Sequence, residues 1–275
     1  MKINKIYKKS YDGDVFNLNV RDNHNYFANN LLVSNCHEES TSSGLHGDLD
    51  NLINLIKDLP KGTELALGGG NPLSHPNLVP FLEVCKELGI ICNITINFKH
   101  ILPFSTLLND LINKELVYGV GISISDNSNL SHLTIIENRK NIVFHIIAGV
   151  ESIKILDKIK ESEVKKVLIL GYKEFGRGVN FYNSSVEECK KEWFNEIHKY
   201  IKKMHLSFDN LSVKQLEIKR FLTDEEWKSF FMGEDGQFTM YIDAVKEEFA
   251  ISSTSSSRFP ILKNKIDFIF SFLRS

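Results

Sequence analysis

The period of the hydrophobic pattern changes along the chain. Over residues 14–33 apolar and polar positions tend to alternate, and turn-forming residues at 21–25 and 29–30 separate the short apolar pieces. A period of two is typical of half-buried strands. These strands are too short to bury a core of their own, so we expect residues 1–35 to pair with another segment.

From residue 48 onward, segments with a helical spacing of apolar residues alternate with short apolar runs. This alternation predicts an α/β fold in which crossover helices join the strands of a parallel sheet. There are enough units for a barrel-like curved sheet, whose chemistry would lie at the carboxyl ends of the strands. The predicted strands are 64–67, 90–96, 117–124, 143–148 and 167–170. The predicted helices are 49–59, 78–88, 104–113, 153–160 and 186–204.

The last part of the chain is less regular. A helix is predicted over residues 223–231, because Thr223 can cap its start and Glu226 stands at the capping-box position. Segments 238–243 and 248–251 indicate a hairpin. The apolar spacing of residues 266–273 predicts an amphipathic closing helix.

Composition and charge narrow the class of protein. The 275 residues carry a formal net charge of -2 at pH 7, which disfavours a nucleic-acid binder that acts through a general basic surface. No apolar run reaches the roughly 20 residues of a membrane-spanning helix, and no apolar signal core follows the first methionine. Four cysteines are too few for a disulfide scaffold. We therefore expect a soluble, cytoplasmic protein with reduced thiols.

Residues 14–36 carry the first motif with a chemical meaning. The run ends in an apolar strand followed by Ser34, Asn35 and Cys36. It resembles the C-terminal splicing motifs of inteins. Because the match begins just after the first methionine, the resemblance implies the short all-β C-terminal fragment of a naturally split intein over residues 1–35. Its N-terminal fragment would be made as a separate polypeptide.

The side chains at this junction suit the chemistry of splicing. The side-chain amide of Asn35 can attack its own backbone carbonyl, which forms a succinimide and breaks the peptide bond to Cys36. The Cys36 thiolate can accept an upstream segment by thioester exchange. The resemblance implies that His24 assists these steps as a general acid or base, since the pKa of histidine lies near working pH. The predicted catalytic residues are His24, Ser34, Asn35 and Cys36.

A second resemblance rests on residues 36–41, 44–49 and 64–76. They resemble parts of radical S-adenosylmethionine (SAM) proteins, in which three thiolates of a CxxxCxxC motif hold a 4Fe-4S cluster. In that superfamily a Gly-Gly-Glu-Pro motif binds the methionine amino group of SAM, and residues 69–72 here read Gly-Gly-Asn-Pro. Asparagine can still accept a hydrogen bond, and glycines let a ligand approach the backbone closely. The resemblance implies SAM contacts at Gly68, Gly69, Gly70 and Asn71.

Polar side chains also stand at the ends of other predicted strands. Asn97 follows strand 90–96, and Ser123 lies near the end of strand 117–124. The resemblance implies that Ser123 approaches the ribose or carboxylate of SAM, whereas serines at strand ends also often cap helices or face loops, and both interpretations stay open. We interpret His145 as a core residue of its apolar strand. Substrate or the SAM carboxylate could meet the residues after strand 167–170, which otherwise form a solvated loop: Tyr172, Lys173 and Arg177.

The two resemblances meet at Cys36. The other cysteines, Cys85, Cys92 and Cys189, lack the spacing of the cluster motif, so we predict that they are packed thiols. The first strand of the barrel is also absent. Both absences are explained if an N-terminal intein precursor carries the first strand and two cluster cysteines, and splicing joins them to residues 36–275. Cys36 would then be first a splicing nucleophile and later an iron ligand, since the cluster needs three thiolates from its motif.

The sequence therefore predicts a precursor that splices in trans to give a mature radical SAM enzyme of unidentified substrate, with no membrane or nucleic-acid partner. Two alternatives stay open. Asn17 stands where many inteins have aspartate, so the chain could be a remnant that assembles without splicing. Residues 68–70 could instead bind a phosphate ligand in a barrel without iron. A zinc site from Cys36, His37 and His46 matches no standard spacing, and we set it aside.

Overall fold

A computed structural model describes residues 45–174, 177–253 and 255–261. The main element is a six-stranded parallel sheet in which each strand pairs with the next one along the chain. This order makes an α/β fold that is compatible with a partial barrel. The strands are β1 (Glu64–Leu67), β2 (Ile91–Asn97), β3 (Gly119–Ser123), β4 (Ile142–Ile147), β5 (Lys166–Leu170) and β6 (His205–Phe208).

Five helices pack their buried side chains on one face of this sheet. The helix residue Phe81 belongs to the same buried cluster as Ile94 of β2 and Phe144 of β4, so the side chains of these two strand residues lie on the helix-covered face. Val143 and Leu168 form a smaller cluster on the opposite face. Consecutive right-handed crossovers place helices on one side in this way. The helices are α1 (Leu49–Ile56), α2 (Leu78–Leu88), α3 (Ser105–Asn113), α4 (Ile155–Glu161), α5 (Arg177–Phe181), α6 (Ser184–Glu196), α7 (Asn210–Gln215) and α8 (Asp224–Phe230). The five that pack on this face are α1 to α4 and α6.

Local sequence sets the ends of the first two helices. The Asp48 carboxylate accepts hydrogen bonds from the backbone N–H groups of Asp50 and Asn51, each at 3.0 Å, and so caps α1. Helix α2 ends at Gly89, whose φ of 76° lies in the left-handed region that favours glycine. The chain then turns directly into β2, since the N–H of Ile90 donates to the carbonyl of Cys85 at 2.8 Å.

A small antiparallel sheet follows the parallel one. Its strands are β7 (Tyr241–Asp243), β8 (Glu248–Ala250) and β9 (Phe259–Pro260). It contacts the beginning of α1, where the N–H of Asp48 donates to the carbonyl of Ala244 at 3.3 Å. The Asn51 amide donates to the Glu247 carboxylate at 2.9 Å. The two sheets are therefore joined near the point where the described chain begins.

Most predicted elements are confirmed, and one helix is wrong at its end. Strand 64–67 and helix 78–88 have the predicted bounds, and the capping box of Thr223 and Glu226 is formed. The predicted helix 186–204 instead ends at Glu196, and a short 3-10 turn leads to β6, which was not predicted. Helical spacing of buried residues continues past the helix, because the side chains of Ile197 and Tyr200 are also buried. That spacing concealed the strand.

Several predictions lie outside the described residues. These are the all-β intein fragment at 1–35, the junction at residue 36 and the closing helix at 266–273. Within the described ranges, no helix combines the length and the apolar character that crossing a bilayer requires.

Candidate functional site

The turn after β1 has a backbone conformation that depends on glycine. Gly69 and Gly70 follow the strand with φ angles of 91° and 30°. Residues with a Cβ rarely adopt these backbone angles, so the two glycines are needed for the turn itself. The turn lies at the carboxyl end of the sheet, where we expected the SAM contacts. The glycine signal therefore has a structural cause that would hold with or without a ligand.

Asn71 shapes the next few residues. Its side-chain oxygen accepts a hydrogen bond from the N–H of Leu73 at 3.3 Å and caps the short 3-10 helix Pro72–Ser74. The hydroxyl of Ser74 donates to the Asn71 carbonyl at 2.7 Å. One lone pair of the side-chain oxygen is thus used locally, and the second is available to a ligand donor.

His75 ties this loop to the chain ahead of α1. Its Nδ1 accepts a hydrogen bond from the N–H of Asn77 at 3.1 Å, so its Nε2 carries the proton and donates to the carbonyl of Gly47 at 3.1 Å. The His46 ring meets the His75 ring edge-on, with centroids 4.7 Å apart. The predicted SAM loop and the segment that leads back toward Cys36 are therefore in direct contact.

Asn97 and Ser123 lie side by side at the carboxyl end of the parallel sheet. They are partners in the register of β2 and β3, and Ser123 is in turn the partner of His145 on β4. The Asn97 side-chain oxygen accepts from the N–H of Lys99 at 3.1 Å, which gives it a capping role in the structure. Both residues lie at the carboxyl end of the parallel sheet, where β1 also leads into the turn at Gly69.

His145 is a buried core residue, as we interpreted it. Its side chain is 1% exposed, and burial lowers its pKa to about 3, so the ring is neutral at ordinary pH. The imidazole lies against the α-carbon of Gly121, where any Cβ would overlap the ring. Thr95 is the register partner of Gly121, and its buried hydroxyl has no hydrogen-bond partner among the described residues.

Two cationic groups converge beyond the carboxyl end of β5. Lys173 is only 9% exposed, burial lowers its pKa, and its ammonium donates to the Ser253 hydroxyl at 3.1 Å. The Arg258 guanidinium donates to the Ser253 carbonyl at 2.8 Å. Arg258 and Ser253 were not predicted, and nothing local in the sequence links them to Lys173.

Tyr172 acts as an anchor rather than as part of a solvated loop. Its hydroxyl donates to the carbonyl of Gly178 at 2.6 Å, and its backbone exchanges two hydrogen bonds with the Gln215 amide, at 2.9 and 2.8 Å. Arg177 begins α5, but its side chain lies outside what the structure describes.

The three later cysteines lie away from this edge. Cys85 and Cys92 are 0% and 3% exposed in the core beneath the helices, which confirms the packing prediction for them. Cys189 is half-buried, and its thiol donates to the carbonyl of Glu151 at 3.1 Å. In the part of the chain that the structure describes, no three His, Cys, Asp or Glu side chains form a group that could hold a metal ion.

A second polar group, which was not predicted, lies at the opposite, amino end of the parallel sheet. Glu64, Asn93 and Lys166 line a pocket together with Tyr118 and Asn141. The Asn93 amide donates to the Glu64 carboxylate at 3.3 Å, and burial raises the pKa of Glu64 to about 7. The signal available in the sequence was a set of charged or amide residues at the starts of apolar strands.

The splicing residues cannot be placed in this geometry, because His24, Ser34, Asn35 and Cys36 all lie outside the described residues. The structure places the predicted cofactor contacts at the carboxyl end of the parallel sheet: residues 68–71, Asn97 and Ser123. Comparison with known protein families, with curated proteins and with solved structures finds no match to this chain.

Proposed function

We propose that this chain is the C-terminal precursor of a trans-spliced radical SAM enzyme. Residues 1–35 would be the intein C-terminal fragment, and residues 36–275 would be the C-terminal portion of the enzyme. The observation that carries the proposal is the junction itself, an apolar strand followed by Asn35 and Cys36. Cys36 stands at the border of two segments with separate motifs, so a single residue belongs to both.

The splicing step uses only groups that the two precursors carry. The Cys36 thiolate attacks a thioester at the end of the partner's extein, and a partner thiol leaves. The Asn35 amide nitrogen then attacks the Asn35 carbonyl carbon, forms a succinimide and releases the Cys36 amine. That amine attacks the new thioester, which forms a peptide bond and restores the Cys36 thiol. His24 would donate and accept the protons of these steps.

The geometry of the sheet supports the enzyme half of the proposal. The turn at Gly69 and Gly70 would hold the methionine part of SAM, with Asn71 offering its remaining lone pair, while Asn97 and Ser123 lie at the same edge. Among the described residues, no cysteine lies at this carboxyl end of the sheet. Cys36 would therefore be the cluster ligand of this chain, and the partner would supply two more. When bound, the cluster supplies the reductive cleavage of SAM that leads to hydrogen abstraction from a substrate.

The open side of the sheet supports the need for a partner. Within the described residues, β1 pairs with β2 only, and its other edge carries no strand. Native proteins usually protect such an edge strand, for example by covering it or by pairing it with another strand. One further strand, contributed by the partner's extein, would extend the sheet at this edge.

The test is co-expression with an N-terminal intein fragment fused to a candidate first strand, followed by mass measurement of the products. We expect a ligated product and a free intein in the unchanged chain. Asn35→Ala should stop at a branched intermediate whose thioester is cleaved by hydroxylamine. Cys36→Ala should give no transfer at all. Ligation that persists in Asn35→Ala would rule out the splicing assignment.

The enzyme half is tested on the ligated product after anaerobic reconstitution with iron and sulfide. We expect the absorption of a 4Fe-4S cluster and the formation of 5′-deoxyadenosine from SAM under reduction. A ligated product with neither property would refute the enzyme half of the proposal and leave the alternative interpretation, in which residues 68–70 bind a phosphate ligand without iron.

A further inference from the structure

Among the described residues, only β2 pairs with β1, and we call the opposite side of β1 its free edge. The backbone groups on this side can pair with a further strand. The carbonyl of Thr63 accepts from the N–H of Ile91 at 2.9 Å, so Thr63 and alternate residues of β1 point toward β2. Glu64 and Ala66 therefore point their N–H and C=O groups to the other side. All four residues of β1 are half-buried, so apolar area remains accessible at this edge. Native proteins usually protect such an edge strand.

The side chain of Glu64 lies next to this edge and is incompletely paired. Its one hydrogen bond within the described residues comes from the Asn93 amide at 3.3 Å. Asn93 is 1% exposed, and its side-chain oxygen has no hydrogen-bond partner there. The buried Asn93 oxygen therefore lacks a donor, and the second oxygen of the half-buried Glu64 carboxylate accepts no hydrogen bond among the described residues. Leaving such groups unpaired costs free energy.

The cation in the pocket does not serve these acceptors. The Lys166 ammonium donates to the carbonyl of Lys140 at 3.1 Å and contacts the Asn141 side-chain oxygen at 3.5 Å. Glu64 forms no ion pair in the part of the chain that the structure describes, and burial is the main cause of its raised pKa. The chemistry that would complete this group is a donor with a positive charge.

We propose that the free edge of β1 receives an extended segment of the partner polypeptide, and that a lysine or arginine of that segment enters the pocket and pairs with Glu64 and with the Asn93 side-chain oxygen. The backbone of the segment pairs with Glu64 and Ala66. Side chains alternate along a strand, so the basic residue lies on the same face as Glu64, beside it. This inference rests on the proposed function, because the partner is the N-terminal precursor, and it names the chemistry of that partner's strand.

Backbone contacts and the Glu64 side chain would have different effects on the partner strand, the first on its affinity and the second on its register. Backbone hydrogen bonds would accept any extended segment, whereas the buried carboxylate penalises every register that does not bring a cation to it. A shift by one residue would turn the basic side chain to the helix-covered face, which is apolar. The partner's first strand would therefore be aligned before splicing joins the two chains.

The experiment uses a phage-displayed library of ten-residue random peptides and the immobilised full chain with Asn35→Ala. We expect selected peptides to alternate apolar residues and to share a lysine or arginine at one position. A synthetic peptide from the selection should bind Glu64→Gln about ten-fold more weakly, since one charge-assisted pair is lost. Replacing its basic residue by methionine should cause the same loss on the unchanged chain and little further loss on Glu64→Gln.

Two matched variants keep the result interpretable. Ala66→Pro removes one N–H that faces the free edge, and proline is tolerated on an edge strand, so peptide binding should vanish while the circular dichroism spectrum is retained. Lys166→Met removes the other charge of the pocket and should leave binding of the basic peptide equal or stronger. Selection of acidic peptides that depend on Lys166 would overturn the proposal.

The outcomes distinguish this inference from the splicing proposal. Basic, Glu64-dependent peptides together with a failed splicing assay would support the site and refute the splicing function. Efficient splicing together with peptides that show no basic preference, or that bind Glu64→Gln equally well, would refute the site. Retention of no peptide at all would also refute it, because it would show that the edge is already covered within this chain.

Discussion

Replacing Glu64 by glutamine should stabilise the isolated chain at alkaline pH and change little at acidic pH. Burial raises the pKa of this carboxyl from 4.5 to about 7. The folded state therefore holds the proton more tightly than the unfolded state does. The stability linked to this proton is fully present below the unfolded pKa and is lost as pH rises through the folded value. Glutamine keeps an oxygen that can accept from the Asn93 amide, and it carries no charge.

The size of the effect follows from the pKa shift. At about 1.4 kcal/mol per pKa unit, the shift corresponds to about 3 kcal/mol. Solvent reaches part of the side chain, and screening reduces the expected difference to about 2 kcal/mol. The unchanged chain should lose this much stability relative to Glu64→Gln between pH 4 and pH 8. Other titrating groups are shared by the two proteins, so their contributions cancel in the comparison.

The assay is urea unfolding of the full chain, followed by tryptophan fluorescence and by circular dichroism at both pH values. Coincident transitions by the two probes would justify a two-state treatment. We expect similar midpoints at pH 4 and a higher midpoint for Glu64→Gln at pH 8. If Glu64→Gln gains no stability at pH 8 relative to pH 4, the carboxyl is not held in an uncompensated buried site. That result would also remove the physical basis for a cationic partner.

Three further predictions concern the interior and one helix end. Gly121→Ala should cost about 2 kcal/mol of unfolding free energy by thermal or urea denaturation, because a Cβ would overlap the His145 ring, whereas unchanged stability would contradict this packing. Thr223→Ala should cost about 1 kcal/mol in the same assay, since it removes the capping box of α8, and Thr223→Ser should retain most of that stability. Cys85 and Cys92 should react with a maleimide only in denaturant, as measured by mass spectrometry; labelling under native conditions would show that they are not core residues.

Local pattern was sufficient where an element is defined by its own residues. The apolar run of β1 ends at three glycines, and α2 lies between a proline-containing turn and Gly89, so their bounds could be predicted. The capping box at Thr223 was predicted for the same reason. Strand β6 could not be predicted from local pattern, because it has only four residues and follows a helix whose apolar spacing continues beyond its end.

The candidate site divides in a similar way. The junction at Asn35 and Cys36 is a contiguous motif, so the splicing hypothesis depends on sequence alone. Asn97 and Ser123 could be assigned to one edge from the expected parallel topology, although only the register made them direct neighbours. The local uses of the Asn71 and Asn97 side chains as caps were not foreseen, because they depend on the turn conformations that follow each strand.

Tertiary structure alone decided the remaining groups. The hydrogen bond between Glu64 and Asn93 spans 29 residues, and the one between Lys173 and Ser253 spans 80. A pattern of polar and apolar positions records how each residue compares with its neighbours along the chain. It carries no information about which distant strand will stand beside it, and so none about whether a buried charge finds a counter-ion. Most of the elements and the splicing hypothesis came from the sequence by itself. The Glu64 carboxyl group, which has no ion pair among the described residues, was recognised only once the strands were aligned, because desolvation and pairing are properties of the packed sheet.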